Sequence, residues 1–285
     1  MYRFAAKLRE NAPLLDACLS RLVASLAARL PELGVDVAID ASDMPAYANG
    51  QRFLSKGGPE RQRFSDPNAS WGHRSAISTR KGGGFYGYRV HAAVCTRTGL
   101  PLAWEVAPAR EHEHNFALPL LDTLRERGLA AETCAMDKGY DTGVIHDGFN
   151  ARNCQPIVPL KATLNVQRGA HGAPKCEHGI WMFAGADFKR KATKWRCPSG
   201  ACSPKSAWVK AHRLHPLVPH ETKRWGQLYR GRAAIEREFG RLKHEYGLTP
   251  LRVRGLQRVA LHADLVMLAR LSVALARARA VPLAA

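Results

Sequence analysis

Residues 2–30 place Leu8, Leu14, Leu15, Leu19, Leu22 and Leu26 at helical spacing and stop before Pro31, which predicts a helix. Val35 to Ile39 is a short apolar run ending in Asp40, the pattern of a buried strand. Tyr86 to Cys95 alternates and is rich in β-formers. Arg97-Thr98-Gly99 then turns into Leu102 to Val106, so the two runs predict a hairpin. His112 to Arg127 puts Phe116, Leu120, Leu121 and Leu124 on one helix face. Glu132 to Met136 reads as a strand ending in Asp137, Thr142 to Ala151 as a helix, and Gln155 to Val158 as a further strand. Residues 223–246 return to helical spacing and stop at Gly247, with Pro250 beyond. Gly231 and Gly240 weaken that helix by about 1 kcal/mol each relative to Ala. A last helix fills Leu256 to Ala280. Arg258, His262, Asp264 and Arg270 within it mark a packing helix rather than a membrane span.

Two stretches lack periodicity. Residues 42–83 are polar and glycine-rich and predict a long functional loop. Residues 160–221 interrupt the pattern between the last strand and the helix at 223. Three strands in meander followed by α-β-α-β-α is the order of a ribonuclease-H-like fold. The expected architecture is therefore α/β: a mixed five-stranded sheet with flanking helices and an insertion at about 160–221 before the last catalytic helix. An N-terminal helical segment, 1–34, precedes the main domain, 35–285.

Charge narrows the function classes. The 43 Lys and Arg outnumber the 24 Asp and Glu, a formal charge of +19. That excess points to a polyanionic partner, above all nucleic acid. The cations concentrate in the aperiodic stretches: 13 Lys or Arg between Lys161 and Arg224, and seven between Gly50 and Gly82. There they suit neutralising phosphates and releasing counterions. Arg3, Lys7, Arg9, Glu10, Asp16 and Arg21 break any apolar leader region, so no signal peptide is predicted.

Chemistry enters with Tyr229, Arg232, Glu236 and Lys243, spaced Y-x2-R-x3-E-x6-K. On a helix these steps keep all four side chains within an arc of about 60°. A carboxylate between two cations and a phenol suits a metal ion held beside a phosphate chain. Asp40 and Asp137 end strands that the expected fold makes neighbours, and open α/β sheets place their sites at strand carboxyl ends. Each acid alone has an ordinary reading. Asp40 and Asp137 suit turns or caps, with Asp43 and Asp141 as rivals, and Glu236 suits an i, i+4 pair with Arg232. Converging, they repel one another, and a pair of Mg2+ (or Mn2+) ions about 4 Å apart resolves the conflict while serving phosphodiester chemistry.

The sequence resembles the DDE-type transposases of bacterial insertion sequences, in the subgroup marked by Y-x2-R-x3-E-x6-K. The four signature residues match in spacing. Val37-Ala-Ile-Asp40 looks like the family's first-aspartate strand, Ala135-Met-Asp137-Lys-Gly-Tyr140 like its second, and Gly87-Tyr-Arg-Val-His91 like its G-Y-K-x-H strand. The resemblance covers roughly residues 35–270. It implies that Asp40, Asp137 and Glu236 bind the divalent metals, and that Tyr229, Arg232 and Lys243 contact phosphates near the cleaved end. It further implies cleavage at transposon ends, strand transfer into double-stranded target DNA, a homodimer on DNA, a bacterial cytoplasmic location at the nucleoid and no membrane. About 34 residues precede the first strand, fewer than the N-terminal DNA-binding region usual in these proteins. A structure-specific nuclease and a domesticated DNA-binding protein of the same fold are the alternatives; the intact triad argues against the second.

The loop residues Ser65-Asp66-Pro-Asn-Ala69 resemble a segment of the same family, and Trp71 follows among cations. Trp71 has two readings, stacking on an unpaired base or anchoring the loop to the core. The insertion carries Cys176, His178, Cys197 and Cys202. Its C-x20-C-x4-C spacing allows a small zinc site with His178 or His212 as fourth ligand, but lacks the C-x2-C pair that structural zinc favours. Reduced cysteines in a small β-rich subdomain are the default expectation. Cys18, Cys95, Cys134 and Cys154 fall in apolar runs and read as core. His112, His114 and Asn115 precede a helix and read as capping residues.

Overall fold

The computed structural model describes residues 2–50, 53–54, 62–74, 81–161 and 174–280. Two helices, α1 (Tyr2–Glu10) and α2 (Ala12–Ala27), open the chain. They replace the single helix expected over 2–30. The break falls at Asn11, the N-cap of α2, where Pro13 in the first turn has no N–H to continue α1.

The main sheet is built from β1 (Asp36–Pro45), β4 (Ser70–Arg74), β5 (Gly83–Cys95), β6 (Pro101–Pro108), β7 (Thr133–Ala135) and β8 (Gln155–Ile157); β2 (Phe53–Leu54) and β3 (Gln62–Arg63) form a separate short hairpin. The long β5 pairs antiparallel with β1 on one side and with β6 on the other, and β4 continues the line of β6. The sheet thus has six strands and not the five expected, because β4 arises within the stretch 42–83 read as loop, where Trp71 and its neighbours pair with the start of β5. β1 then pairs in parallel with β7, and β7 with β8. The first strand and the strand carrying the second aspartate are thus neighbours, as the element order predicts.

Between and after these strands come α3 (His114–Glu126), a 3-10 turn (Lys138–Tyr140) and α4 (Gly143–Ala151). Past β8 lie the short strands β9 (Lys175–Cys176), β10 (Gly179–Ile180), β11 (Met182–Asp187), β12 (Ala192–Arg196) and β13 (Ser206–Lys210). These pair among themselves, β9 with β10 and β11-β12-β13 as a meander, and none joins the main sheet. Three helices follow: α5 (Lys223–Arg230), α6 (Ala233–His244) and α7 (Leu256–Ala280).

Alternation along the strands divides the apolar residues between two cores. Val37 and Ile39 of β1 with Ala93 and Cys95 of β5 face α2, α3 and α4, and Cys134 and Cys154 join them. Cys18, read as core, is exposed, because it lies off the α2 stripe of Leu15, Leu19, Val23 and Leu26. Ala38 and Met44 with Tyr88, Val90, Ala92 and Val94 face α6 through Ile235, Phe239 and Leu242. α7 packs into both cores. It is long and apolar enough by length and composition alone to cross a membrane, but its Asp264 accepts from Trp104 Nε1 at 2.8 Å and its buried Arg270 pairs with Glu238 of α6. It is a packing helix, as its interior charges predict.

Two boundaries differ from the sequence expectation in ways that shape the site. β1 runs five residues past Asp40, because its pairing with β5 continues to Pro45 after the pairing with β7 stops at Ala38. Asp40 therefore stands inside a strand, just beyond the parallel junction. The helix expected over 223–246 is also divided, between Arg230 and Ala233. Gly231 sits at the break, where an added Cβ would lie 2.9 Å from Leu228 O and 3.1 Å from Thr96 Cβ. Only glycine lets the chain pass this close to the β5–β6 turn.

Candidate active site

Three acids approach one another from separate elements. Asp40 projects from β1 on the side that carries Ala38 and faces α6, and its Oδ1 accepts from Ala41 N at 2.8 Å. Asp137 follows β7 and caps the 3-10 turn, accepting from Gly139 N at 2.6 Å. Glu236 sits in the first turn of α6, where the helix dipole favours a carboxylate. Arg232, the N-cap of α6, joins two of them: Nη2 donates to Asp40 Oδ2 at 2.9 Å and Nη1 to Glu236 Oε1 at 2.6 Å. Asp40 and Glu236 are thus held on either side of one guanidinium, a charge-assisted bridge.

A cleft of about 650 Å³ opens beside Asp40, Asp137 and Arg232, lined also by Asp43, Glu113 and Lys161, with Arg74 and Arg89 on its wall; Glu236 lies outside this lining and is tied to it through Arg232. Glu113 was not expected there. It precedes α3, yet its backbone is helical and its side chain makes no capping bond. It turns instead toward Asp137: a Cβ on Gly139 would collide with both the Glu113 and Asp137 carboxylates. Gly139 therefore leaves the room that lets the two acids close in. His112 and His114, read from the sequence as caps, stack on each other at 5.5 Å and line the same cleft.

Burial sets the electrostatics. It lifts the Asp40 carboxyl from 3.8 to about 6, Asp137 and Glu236 add to the rise, and Arg232 and the Ala41 N–H oppose it. Burial likewise lifts Glu113 to about 7, reinforced by Asp137 and Asp40 and opposed by Arg89 and Arg232. Tyr229 is raised by burial and then by the fields of Asp137, Glu236 and Asp40, against Arg232, so its hydroxyl stays a donor. The donor set is all hard oxygen, and burial, reinforced by neighbouring acids, holds the Asp40 and Glu113 carboxyls above their usual range. That set fits a hard divalent cation such as Mg2+ or Mn2+.

The other signature residues spread out from this point. Tyr229 closes α5, with its ring stacked on Trp225 at 4.9 Å. Lys243 lies in the last turn of α6, about 10 Å along the helix from Glu236 and outside the lining of the cleft. Trp71 of β4 is 55% exposed, with its ring 5.7 Å from Tyr86. It shares a strand face with His73, which does line the cleft. His91 of the G-Y-R-V-H strand lies outside the site: it is buried, stacked on Phe116 at 3.8 Å, and pushed down to about 3 by burial and then Arg89. The three insertion cysteines meet, whereas His178 and His212 stay out of the group; His178 Nε2 lies 3.3 Å from Glu177.

The two rival aspartates have other duties. Asp43 pairs with Arg89 at 3.2 Å and Arg74 at 3.7 Å on the cleft wall. Asp141 does not cap α4; Thr142 does. It is buried and accepts from Arg213 Nε at 2.5 Å, Arg213 Nη2 at 2.7 Å and Lys161 N at 2.7 Å. Burial alone raises a carboxyl, but bonds from Arg213, His146 and Lys161 outweigh it and hold Asp141 well below the usual range. Asp66, in the loop segment singled out from the sequence, is wholly buried. It accepts from Tyr88 OH at 2.8 Å and from Gly255 N at 3.0 Å, which fastens the loop to β5 and to the start of α7.

Residues 32–272 match the family described as transposase DDE domain. Among solved structures, the chain is similar to a piggyBac transposase in a synaptic complex with hairpin DNA, at 8% identity and a TM-score of 0.37 over 89% of this chain and 50% of that one. The chain spans about half the length of that transposase, and at such distance the likeness adds no weight. No curated protein matches the chain.

Proposed function

The chain belongs to the family of transposase DDE domains, and from that premise we propose that it cuts and joins DNA by metal-dependent phosphoryl transfer at the cleft of Asp40, Asp137 and Glu236. The observation that carries this reading is Arg232 bridging Asp40 to Glu236 beside Asp137 in a cleft walled by Arg74, Arg89 and Lys161. The sheet order and the segment between β8 and α5 support a ribonuclease-H-like core with an insertion at about 160–221.

Asp40, Asp137 and Glu236 would hold Mg2+ or Mn2+, which when bound neutralises phosphate charge and polarises the attacking water or hydroxyl. The residues around them bind and orient the DNA. Arg74, Arg89 and Lys161 supply fixed positive charge for the phosphates flanking the scissile bond. Arg232 exchanges its carboxylate partners for a phosphate, to which its fork is matched. The Tyr229 hydroxyl, kept protonated, donates to a neighbouring phosphate oxygen, and Lys243 extends the contact about two turns along α6 from Glu236. Glu113, poised near neutrality, takes up or releases a proton at its carboxyl oxygens beside Asp137. Two copies of the chain would pair two element ends.

A labelled element end with Mg2+ or Mn2+ tests the reading. Cleavage followed by joining to a target duplex is expected from the wild type. Glu236→Gln is expected to lose cleavage by more than about a hundredfold while keeping salt-sensitive DNA binding; full cleavage by that variant removes Glu236 from the site. Cleavage without joining would identify a nuclease, and binding without cleavage a domesticated DNA-binding protein.

A further inference from the structure

Far from the acids in chemistry, three cysteines of the segment between β8 and α5 come together. Cys176 ends β9, Cys197 follows β12, and Cys202 lies in the turn before β13. Their sulfur atoms all lie within 4.8 Å of one another. The Cys176 and Cys197 sulfurs are 3.9 Å apart. Thiolates bound at about 2.3 Å to one tetrahedral ion are separated by about 3.8 Å, whereas a disulfide requires about 2.05 Å. The spacing is that of shared ligation and not of a covalent bond.

We propose that Cys176, Cys197 and Cys202 bind a structural zinc ion, supplying three thiolate ligands from among the described residues.

Two further observations point the same way. The groups around Cys197 are arranged as outer-shell donors to a thiolate: Ser199 Oγ lies 3.3 Å from its sulfur, and the backbone N–H groups of Ser199 and Cys202 face it. The segment also lacks the means to hold itself together. Between residues 174 and 210 only Thr193, Trp195 and Cys197 are buried. The β9–β10 hairpin shares no sheet with the β11–β13 meander. A core this small ordinarily needs a metal or a disulfide as a staple. Zinc at the three sulfurs ties the hairpin, through Cys176, to the turn that joins β12 to β13. Its binding energy then becomes folding energy for that segment. Soft thiolates select an ion of the zinc class over the Mg2+ or Mn2+ of the acid cleft.

The test uses the full chain, purified without oxygen from cells grown with added zinc. Plasma mass spectrometry is expected to find one zinc ion per chain after gel filtration. Asp40→Asn should retain it, which separates this ion from any metal in the acid cleft; Cys197→Ser and Cys202→Ser should lose it. Replacing the zinc with Co2+ in the wild-type chain should produce thiolate-to-cobalt charge-transfer absorption, a readout that does not depend on how well a variant folds. Wild-type protein free of zinc with all three thiols titratable would overturn the proposal. So would a Cys176–Cys197 disulfide in peptide maps, or zinc retained in both serine variants.

Discussion

Asp40 is a group whose ionisation the folded chain resists. Its folded carboxyl keeps a proton up to about pH 6, whereas the unfolded one releases it near 3.8. Between those values the native state binds more protons than the unfolded state, so stability falls as pH rises through the window and stays lower above it. The displacement corresponds to about 3 kcal/mol for a largely buried group. Asp40→Asn should therefore abolish cleavage and, at pH 7.5, raise resistance to urea unfolding by about 1–3 kcal/mol; the gain should vanish near pH 4. Glu113 makes a second prediction. With its carboxyl near 7, the rate should show an inflection near neutrality that Glu113→Gln removes, while DNA affinity is unchanged. The residues of the acid cluster differ in how legible they are from sequence. Asp40 and Asp137 stand at the edges of apolar runs, and Glu236 falls inside a spaced pattern. Glu113 has neither mark. It falls inside the helix expected from His112, and only the approach of the 3-10 turn after β7 reveals its facing partner.

The elements show where local pattern stops deciding. Nearly every helix and strand of the main sheet is predictable from periodicity, because each buries one face or both. The break at Gly231 is not, since it answers to the β5–β6 turn packed against it. The position of α6 has a cause equally hidden in the sequence. Glu238 is wholly buried and accepts from Arg270 Nε at 2.6 Å and Arg241 Nη1 at 2.6 Å, which clamps α6 to α7. Two residues away, Glu236 is more than half exposed, so the helix turns one glutamate into an anchor and leaves the other to pair with Arg232 at the edge of the cleft. Removing the anchor leaves the Arg270 guanidinium buried without its counter-charge. Glu238→Gln should cost about 3–5 kcal/mol in urea unfolding. It should also lower cleavage more than the fraction unfolded explains, because Glu236 would lose its fixed register.

For the molecule as a whole, the +19 charge is an instruction about partners rather than about fold. If six or more phosphates are neutralised, the dissociation constant for duplex DNA should weaken at least about a thousandfold between 50 and 200 mM salt. Fluorescence anisotropy across that range reads the slope directly; a flat response would deny the basic surface its role. Sheet order was foreseeable at this scale because strand sequence and crossover helices leave few ways to place β7 beside β1. The segment between β8 and α5 was legible only as a small β-rich subdomain, without its strand positions, since short strands with three buried residues leave almost no periodic trace. Their attachment matters all the same. Asp141 grips the backbone at Lys161 and the guanidinium of Arg213, one on each flank of that segment, and it lies four residues beyond Asp137. A tug on the segment by the double helix would thus be felt as torque on the turn that aims the second aspartate. Under the proposed function, DNA gripped well outside the cleft would in this way tighten or loosen the hold of Asp137 on a cation there.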